Sequence, residues 1–395
     1  MHIKKIVLFT VGTLIVASVG LLHFIVPGIL ESSINRIKPH EPYVIRPDAQ
    51  ALHDTLFIAD LHTDSMLWKR NFLKEASVGH VDLPRLQRGN VALQVFSATT
   101  KSPEGQNYDK NTSNSDRITA LVQAQMWPLS TWDSIYERAK YQLEKLYRIA
   151  EDSDGTFRLL LSKQDMASFV SAREQGKRGE KIVAGIYLIE GAHPLEGDLN
   201  NLDKLFDQGL RITGLTHFFD NRLGGSLHGV SGEGLTPFGE SVIKRANELG
   251  LMIDVAHASP QIVNDVLELS QQPLILSHGG LNGICEGARN LDDKLMKRFA
   301  EKGGLIGIGY WDAAVCDFTP EGVVKSIRYG IDLLGVEHIA LGSDYDGATE
   351  VLFDTSELAI LTQTMLDQGF TEHEIRMVMG ENVKRFMLAN LPDQT

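Results

Sequence analysis

Cysteine is nearly absent. Cys285 and Cys316 are the only two in 395 residues, too few for a disulfide framework and without the paired spacing of a thiolate zinc site. Both read as packed thiols. Positive charge is also scarce, with 38 Lys and Arg against 51 Asp and Glu and a formal charge of −13. That balance argues against nucleic acid as a partner. No Gly-x-Gly-x-x-Gly opens a helix after the first apolar strand, which disfavours a dinucleotide-binding sheet. The glycine-rich stretch 224–229 lacks the Gly-Lys-Ser/Thr ending of a phosphate cradle and reads as a mobile loop.

Hydrophobic residues make up 43% of the chain, enough to bury the core of one large domain or two ordinary ones. One apolar run is long: Lys4 and Lys5 precede an almost unbroken stretch from residue 6 to 30, which as helix would extend roughly 37 Å and cross a bilayer. The expected organisation is an N-terminal transmembrane signal anchor over 1–30, a polar, proline-bearing linker over 31–50, and a folded domain over 51–395. Lysines before the run predict a single-pass protein of the cytoplasmic membrane with its folded domain on the exported, periplasmic side. The alternative is secretion after signal cleavage near Ala17 and Ser18.

Beyond residue 50, short runs rich in Val, Ile and Leu recur at 56–64, 92–98, 183–191, 210–217, 251–257, 274–278, 305–311 and 338–344. Helix signals separate them: Thr236-Pro237, Ser259-Pro260 and Asp292-Asp293 each open a helical segment. Eight such units predict a (β/α)₈ TIM-like barrel, whose buried strands lack polar alternation and whose chemistry gathers at their C-terminal ends. At those ends stand His62 and Asp64, Glu190, His217, His257, His278 and Asp344. Imidazoles and carboxylates brought to one mouth form a nitrogen and oxygen ligand set for zinc-like ions. His80-Val81-Asp82 repeats the His-x-Asp pattern of His62 and Asp64, yet no apolar strand leads into it, so that copy reads as structural. In Asp344-Tyr345-Asp346 two acids share a strand face, and the residues alone leave the functional one open.

The motifs "DLHTDSMLW", "IEGAH", "GLTHFFDN", "LMIDVAHASP", "LILSHGG", "ARNLDD", "GSDYDG" and "MGENVKRF" follow one another over about 56–392. In this order they resemble the membrane (renal-type) dipeptidase family of the metal-dependent amidohydrolase superfamily. The resemblance implies two divalent metal ions, zinc by analogy, with His62 and Asp64 on one, His257 and His278 on the other, and Glu190 bridging them. It places His217, Arg289 and Asp344 at substrate-contacting positions, with Asp344 and His217 catalytic, and it implies a homodimer. Leu61-His62-Thr63-Asp64, Glu190-Gly191-Ala192-His193 and Ser277-His278-Gly279 depart from the family's usual wording without removing a ligand. His193 is expected to support the site rather than bind metal.

The activity implied is hydrolysis of dipeptides by a hydroxide bridging the two ions. Two divalent ions bring four positive charges; Asp64, Glu190, the hydroxide and Asp344 bring four negative ones. Asp344 would take the water's proton and pass it to the departing amine, His217 would hydrogen-bond the tetrahedral oxygen, and Arg289 would clamp the substrate carboxylate. Two rival functions remain: an N-acyl-D-amino-acid hydrolase or other amidohydrolase, and an anchored binding or scaffold protein with a vestigial site.

Overall fold

Buried strands that alternate with amphipathic helices have to cover both faces of their sheet, and closure into a cylinder does this without leaving an edge. In the computed structural model, which describes residues 20, 23, 25–175 and 181–393, the eight apolar runs form eight parallel strands. They are β1 (Ile58–Thr63), β2 (Val91–Thr99), β3 (Val183–Glu190), β4 (Leu210–Gly214), β5 (Met252–Asp254), β6 (Ile275–Gly279), β7 (Leu305–Ile308) and β8 (Ile339–Leu341). The hydrogen-bonded order runs β2-β1-β8-β7-β6-β5-β4-β3. Pairing of β2 with β3, from Leu93↔Ala184 to Thr99↔Glu190, closes the barrel. A further strand, Phe157–Leu159, adds to β3 from outside. Every residue of β1, β2 and β3 is buried, which is why these runs show no polar alternation.

The connecting helices start where the sequence signals them. Thr236 caps Pro237–Leu249 by accepting the Gly239 N–H, Ser259 caps Pro260–Leu269, and Asp292 caps Asp293–Glu301. Helix Pro237–Leu249 ends at Gly250 with φ +67°, a left-handed turn that glycine makes without strain.

Three expectations meet a different outcome or fall outside view. Cys285 and Cys316 are not packed thiols: they form a disulfide with Cα atoms 5.5 Å apart. A spacing of 31 residues carries no pairing signal, and only the barrel brings the loops after β6 and β7 side by side. The apolar run 6–30 lies mostly outside the described residues. Among those described, no helix is long and apolar enough to cross a membrane, and the end of the run forms helix Val26–Ile34. The stretch 31–50, read from composition as a linker, is attached to the barrel. Arg36–Ile37 pairs in parallel with Glu350–Val351, Tyr43 Oη donates to the Leu352 carbonyl at 3.1 Å, and helix Pro47–His53 buries His53 against Thr362 and Gly89.

Candidate metal-dependent active site

The acid-imidazole-acid sequence of Asp60, His62 and Asp64, at the end of β1, separates into two roles. Asp60 is saturated by donors: the His62 N–H at 3.0 Å, Gln94 Nε2 at 3.1 Å, and the Ser343 N–H and hydroxyl at 3.0 Å. His62 and Asp64 instead face a shared centre. Glu190 Oε1 lies 3.1 Å from His257 Nε2, 3.4 Å from His278 Nε2 and 3.7 Å from His62 Nε2, while Oε2 lies 3.3 Å from His217 Nε2. His62 Nε2 is also 3.9 Å from both Asp64 Oδ1 and Asp344 Oδ1. Side chains from six different strand ends thus meet, as a parallel barrel requires.

The backbone aims several of them. His257 and Asp344 adopt φ of +62° and +58°, a left-handed conformation costly for residues with a Cβ and concentrated at functional sites. At Gly347 a Cβ would come 2.2 Å from Asp344 Oδ1 and 3.0 Å from Asp64 Oδ2, so glycine is what lets the chain pass beside these two carboxylates.

Hydrogen bonds then set the imidazole tautomers. Ser277 Oγ donates to Asp254 Oδ2 at 2.6 Å, which leaves its lone pairs to accept from His278 Nδ1 at 2.9 Å and His62 Nδ1 at 3.2 Å. Both rings therefore carry their proton on Nδ1 and turn the Nε2 lone pair to the centre. On the acid side, the Thr99 hydroxyl bridges Asp64 Oδ1 at 3.0 Å and Glu190 Oε2 at 2.8 Å. Thr99, Ser277 and Asp254 carry no sequence signal of their own. Their importance comes from what the barrel sets beside them.

The electrostatics call for a cation. Burial pushes the Asp344 carboxyl well above its usual range, and the neighbouring Asp64 and Glu190 charges add to the shift. Burial opposes charge on His62, yet the facing Asp64, Glu190 and Asp344 carboxylates outweigh it and raise its pKa to about 10. Glu190 is likewise penalised by burial, but the imidazoles of His217, His62 and His278 hold it down at about 2. Three carboxylates in a dry pocket thus crowd around a ring whose buried Nε2 has no hydrogen-bond partner. Oxygen and nitrogen donors so arranged fit divalent ions. Three groups have ligand atoms within 4.8 Å of one another: His62, Glu190 and His278; Glu190, His217 and His257; His62, Asp64 and Asp344. Glu190 belongs to two of them.

Arg289 joins the same cavity, about 270 Å³ in volume, with Asp64, Glu190, His217, His257 and Asp344. It is 3% exposed, donates through Nη2 to the His278 carbonyl at 2.7 Å, and keeps a buried Nε without a partner. Asp292 and Asp293, the carboxylates that follow it in the chain, are occupied elsewhere, Asp292 as a helix cap and Asp293 by Tyr329 and the Gly283 N–H. His217 Nδ1 approaches the Lys101 carbonyl at 3.3 Å, which turns Nε2 to Glu190. The loop over 101–116 covers the site, with Gln106 and Tyr108 lining the cavity.

Residues that resembled ligands fall elsewhere. His193 stacks on Phe219 with ring centres 4.6 Å apart, and burial lowers its pKa to about 3. Asp82 caps helix Leu83–Arg88. The choice between Asp344 and Asp346 also resolves: Asp346 pairs with Arg70 and accepts from Ser65 Oγ and the His80 N–H, whereas Asp344 faces His62. The glycine-rich stretch 224–229 is tied down by Asp220, which accepts the Ser226 and Val230 N–H groups, and by a bridge to Ala258.

Comparison with known proteins agrees with this geometry. Residues 46–390 match the family model described as membrane dipeptidase, peptidase family M19. The chain belongs to that family. It is 28% identical to mouse Dipeptidase 3 over 331 residues, covering 78% of the present chain and 62% of the mouse protein. A metallopeptidase from Rhodobacter sphaeroides, solved with a phosphinate mimic of the dipeptide L-Ala-D-Ala, superposes with TM-score 0.69 at 25% identity, covering 85% of this chain and 99% of that one. A further M19 metallopeptidase, described as dipeptidase AC, also gives TM-score 0.69 at 25% identity over 86% and 99% of the two chains.

Proposed function

We propose that the protein is a metal-dependent dipeptidase, exported and membrane-associated, acting on short peptides with a free C-terminal carboxylate. The observation that carries this reading is the convergence of three imidazole Nε2 atoms on one oxygen of Glu190, beside a buried guanidinium with a spare donor. His62, Asp64, Glu190, His257 and His278 would hold two divalent ions, zinc by family analogy, with Glu190 shared. Such ions supply Lewis acidity and a water that ionises near neutral pH. Asp344 accepts the proton of the attacking water and delivers it to the departing amine. His217 is placed to contact the tetrahedral oxygen, and Arg289 pairs with the substrate carboxylate and fixes the distance from that end to the scissile bond. Longer peptides lack a carboxylate at that distance. The disulfide supports an oxidising compartment, and a homodimer belongs to the same reading.

Metal analysis of the purified full chain together with hydrolysis of a dipeptide panel, before and after chelation, tests it. About two divalent ions per chain and activity lost on chelation are expected. Faster turnover of N-acylated amino acids than of dipeptides would overturn the substrate assignment, and a folded, metal-free chain would favour a scaffold.

A further inference from the structure

The cavity has a wall that the family match leaves out. Leu30 and Ile34, on helix Val26–Ile34, lie before residue 46, where that match begins, yet they line the same cavity as His217, Arg289 and Asp344. Ile34 packs on the apolar cluster that contains Leu67, Trp68 and Ile118, and these three residues line the cavity as well. The chamber is therefore polar around Glu190 and apolar where Leu30, itself 39% exposed, Ile34, Leu67, Trp68 and Ile118 line it.

The helix is fastened, and fastened to the segment that carries Asp344. Glu31, 3% exposed, places Oε1 2.6 Å from Arg70 Nε, and Arg70 pairs in turn with Asp346. Asn35 Oδ1 accepts the Ala348 N–H at 2.8 Å. The Arg36 N–H donates to the Thr349 carbonyl at 3.1 Å, and the two-residue strand Arg36–Ile37 continues the attachment. Ion pair, side-chain hydrogen bond and strand pairing fix one register.

We propose that Leu30 and Ile34 are specificity-determining residues, forming the apolar end of the cavity that receives a side chain of the bound dipeptide. The inference rests on the dipeptidase reading. A substrate held by its carboxylate at Arg289 and by its amide beside Asp344 has its side chains left to occupy the remaining space. An apolar wall rewards an apolar side chain by burying it and penalises a charged one by stripping its water. The substrate class is thus dipeptides bearing a bulky aliphatic or aromatic residue.

The test compares kcat/KM for leucine- and phenylalanine-containing dipeptides with that for glycylglycine, using the full chain in detergent. In the double variant Leu30→Ala/Ile34→Ala the ratio is expected to fall about 10-fold. Leu30→Glu is expected to shift the ratio of lysine- to leucine-containing dipeptides about 10-fold towards lysine, a gain that impaired folding cannot produce. Unchanged ratios in both variants, or an equal loss on every substrate, overturn the wall and leave the dipeptidase reading standing. If the unaltered chain turns over no dipeptide, both fall.

Discussion

Ser277 and Thr99 touch more of the site than any sequence motif would suggest. One hydroxyl orients two imidazoles, and the other bridges two carboxylates. Replacing Ser277 by Ala leaves the His62 and His278 tautomers unconstrained and Asp254 without its 2.6 Å donor. Metal affinity is expected to drop 10- to 100-fold, read by titration of the metal-stripped protein. Asp344→Asn preserves shape and removes the proposed proton acceptor, so kcat is expected to fall about 10²- to 10⁴-fold with bound metal retained. Glu190→Gln should lower activity as sharply and also reduce metal content, because Glu190 faces four imidazoles. A variant with normal turnover would contradict the bridging role. Asp344 could not be told from Asp346 in sequence, since residues two apart share a face of any extended strand, whereas in the structure β8 ends at Leu341 and both adopt left-handed φ. Arg70 and the His80 backbone, more than 260 positions away, make the distinction.

At the level of elements, the loop after β6 delivers Arg289, and the disulfide ties it down. Cys285 stands four residues before Arg289, and its partner Cys316 follows β7. Closing a loop of this length restricts the unfolded chain by about 3–4 kcal/mol. Cys285→Ser/Cys316→Ser is therefore expected to lower the melting temperature, and its KM should rise more than its kcat falls, because the loosened element carries Arg289, the proposed carboxylate clamp. Equal kinetics with an unchanged melting temperature would remove both claims. Strand and helix positions were legible because period and capping are local properties: all eight runs became strands, and the three helix starts at Thr236, Ser259 and Asp292 are where the signals put them. The disulfide and the attachment of Arg36–Ile37 to Glu350–Val351 were not legible, because each joins segments that only the closed barrel brings together.

For the molecule as a whole, acid is the expected weak point. His53 is buried between Thr362 and Gly89, and burial lowers its pKa to about 4 from an ordinary 6.5. The unfolded chain binds this proton first as pH falls, so the stability is fully present above 6.5 and lost on descent towards 4. At pH 5 the loss is about 2 kcal/mol for this one group. Melting temperature measured from pH 7 to 4 should decline, and His53→Gln should flatten that decline while lowering the value at pH 7. The sequence by itself determined the eight-unit alternation, the capping of the helices and the set of imidazoles and carboxylates at strand ends, because these depend on neighbours a few positions apart. The tertiary structure alone decided which acid faces the imidazoles, which nitrogens point inwards, that the two thiols are joined, and that a helix ahead of the barrel walls the cavity. Those outcomes depend on distances between residues up to about 300 positions apart, and only closure of the barrel sets such distances.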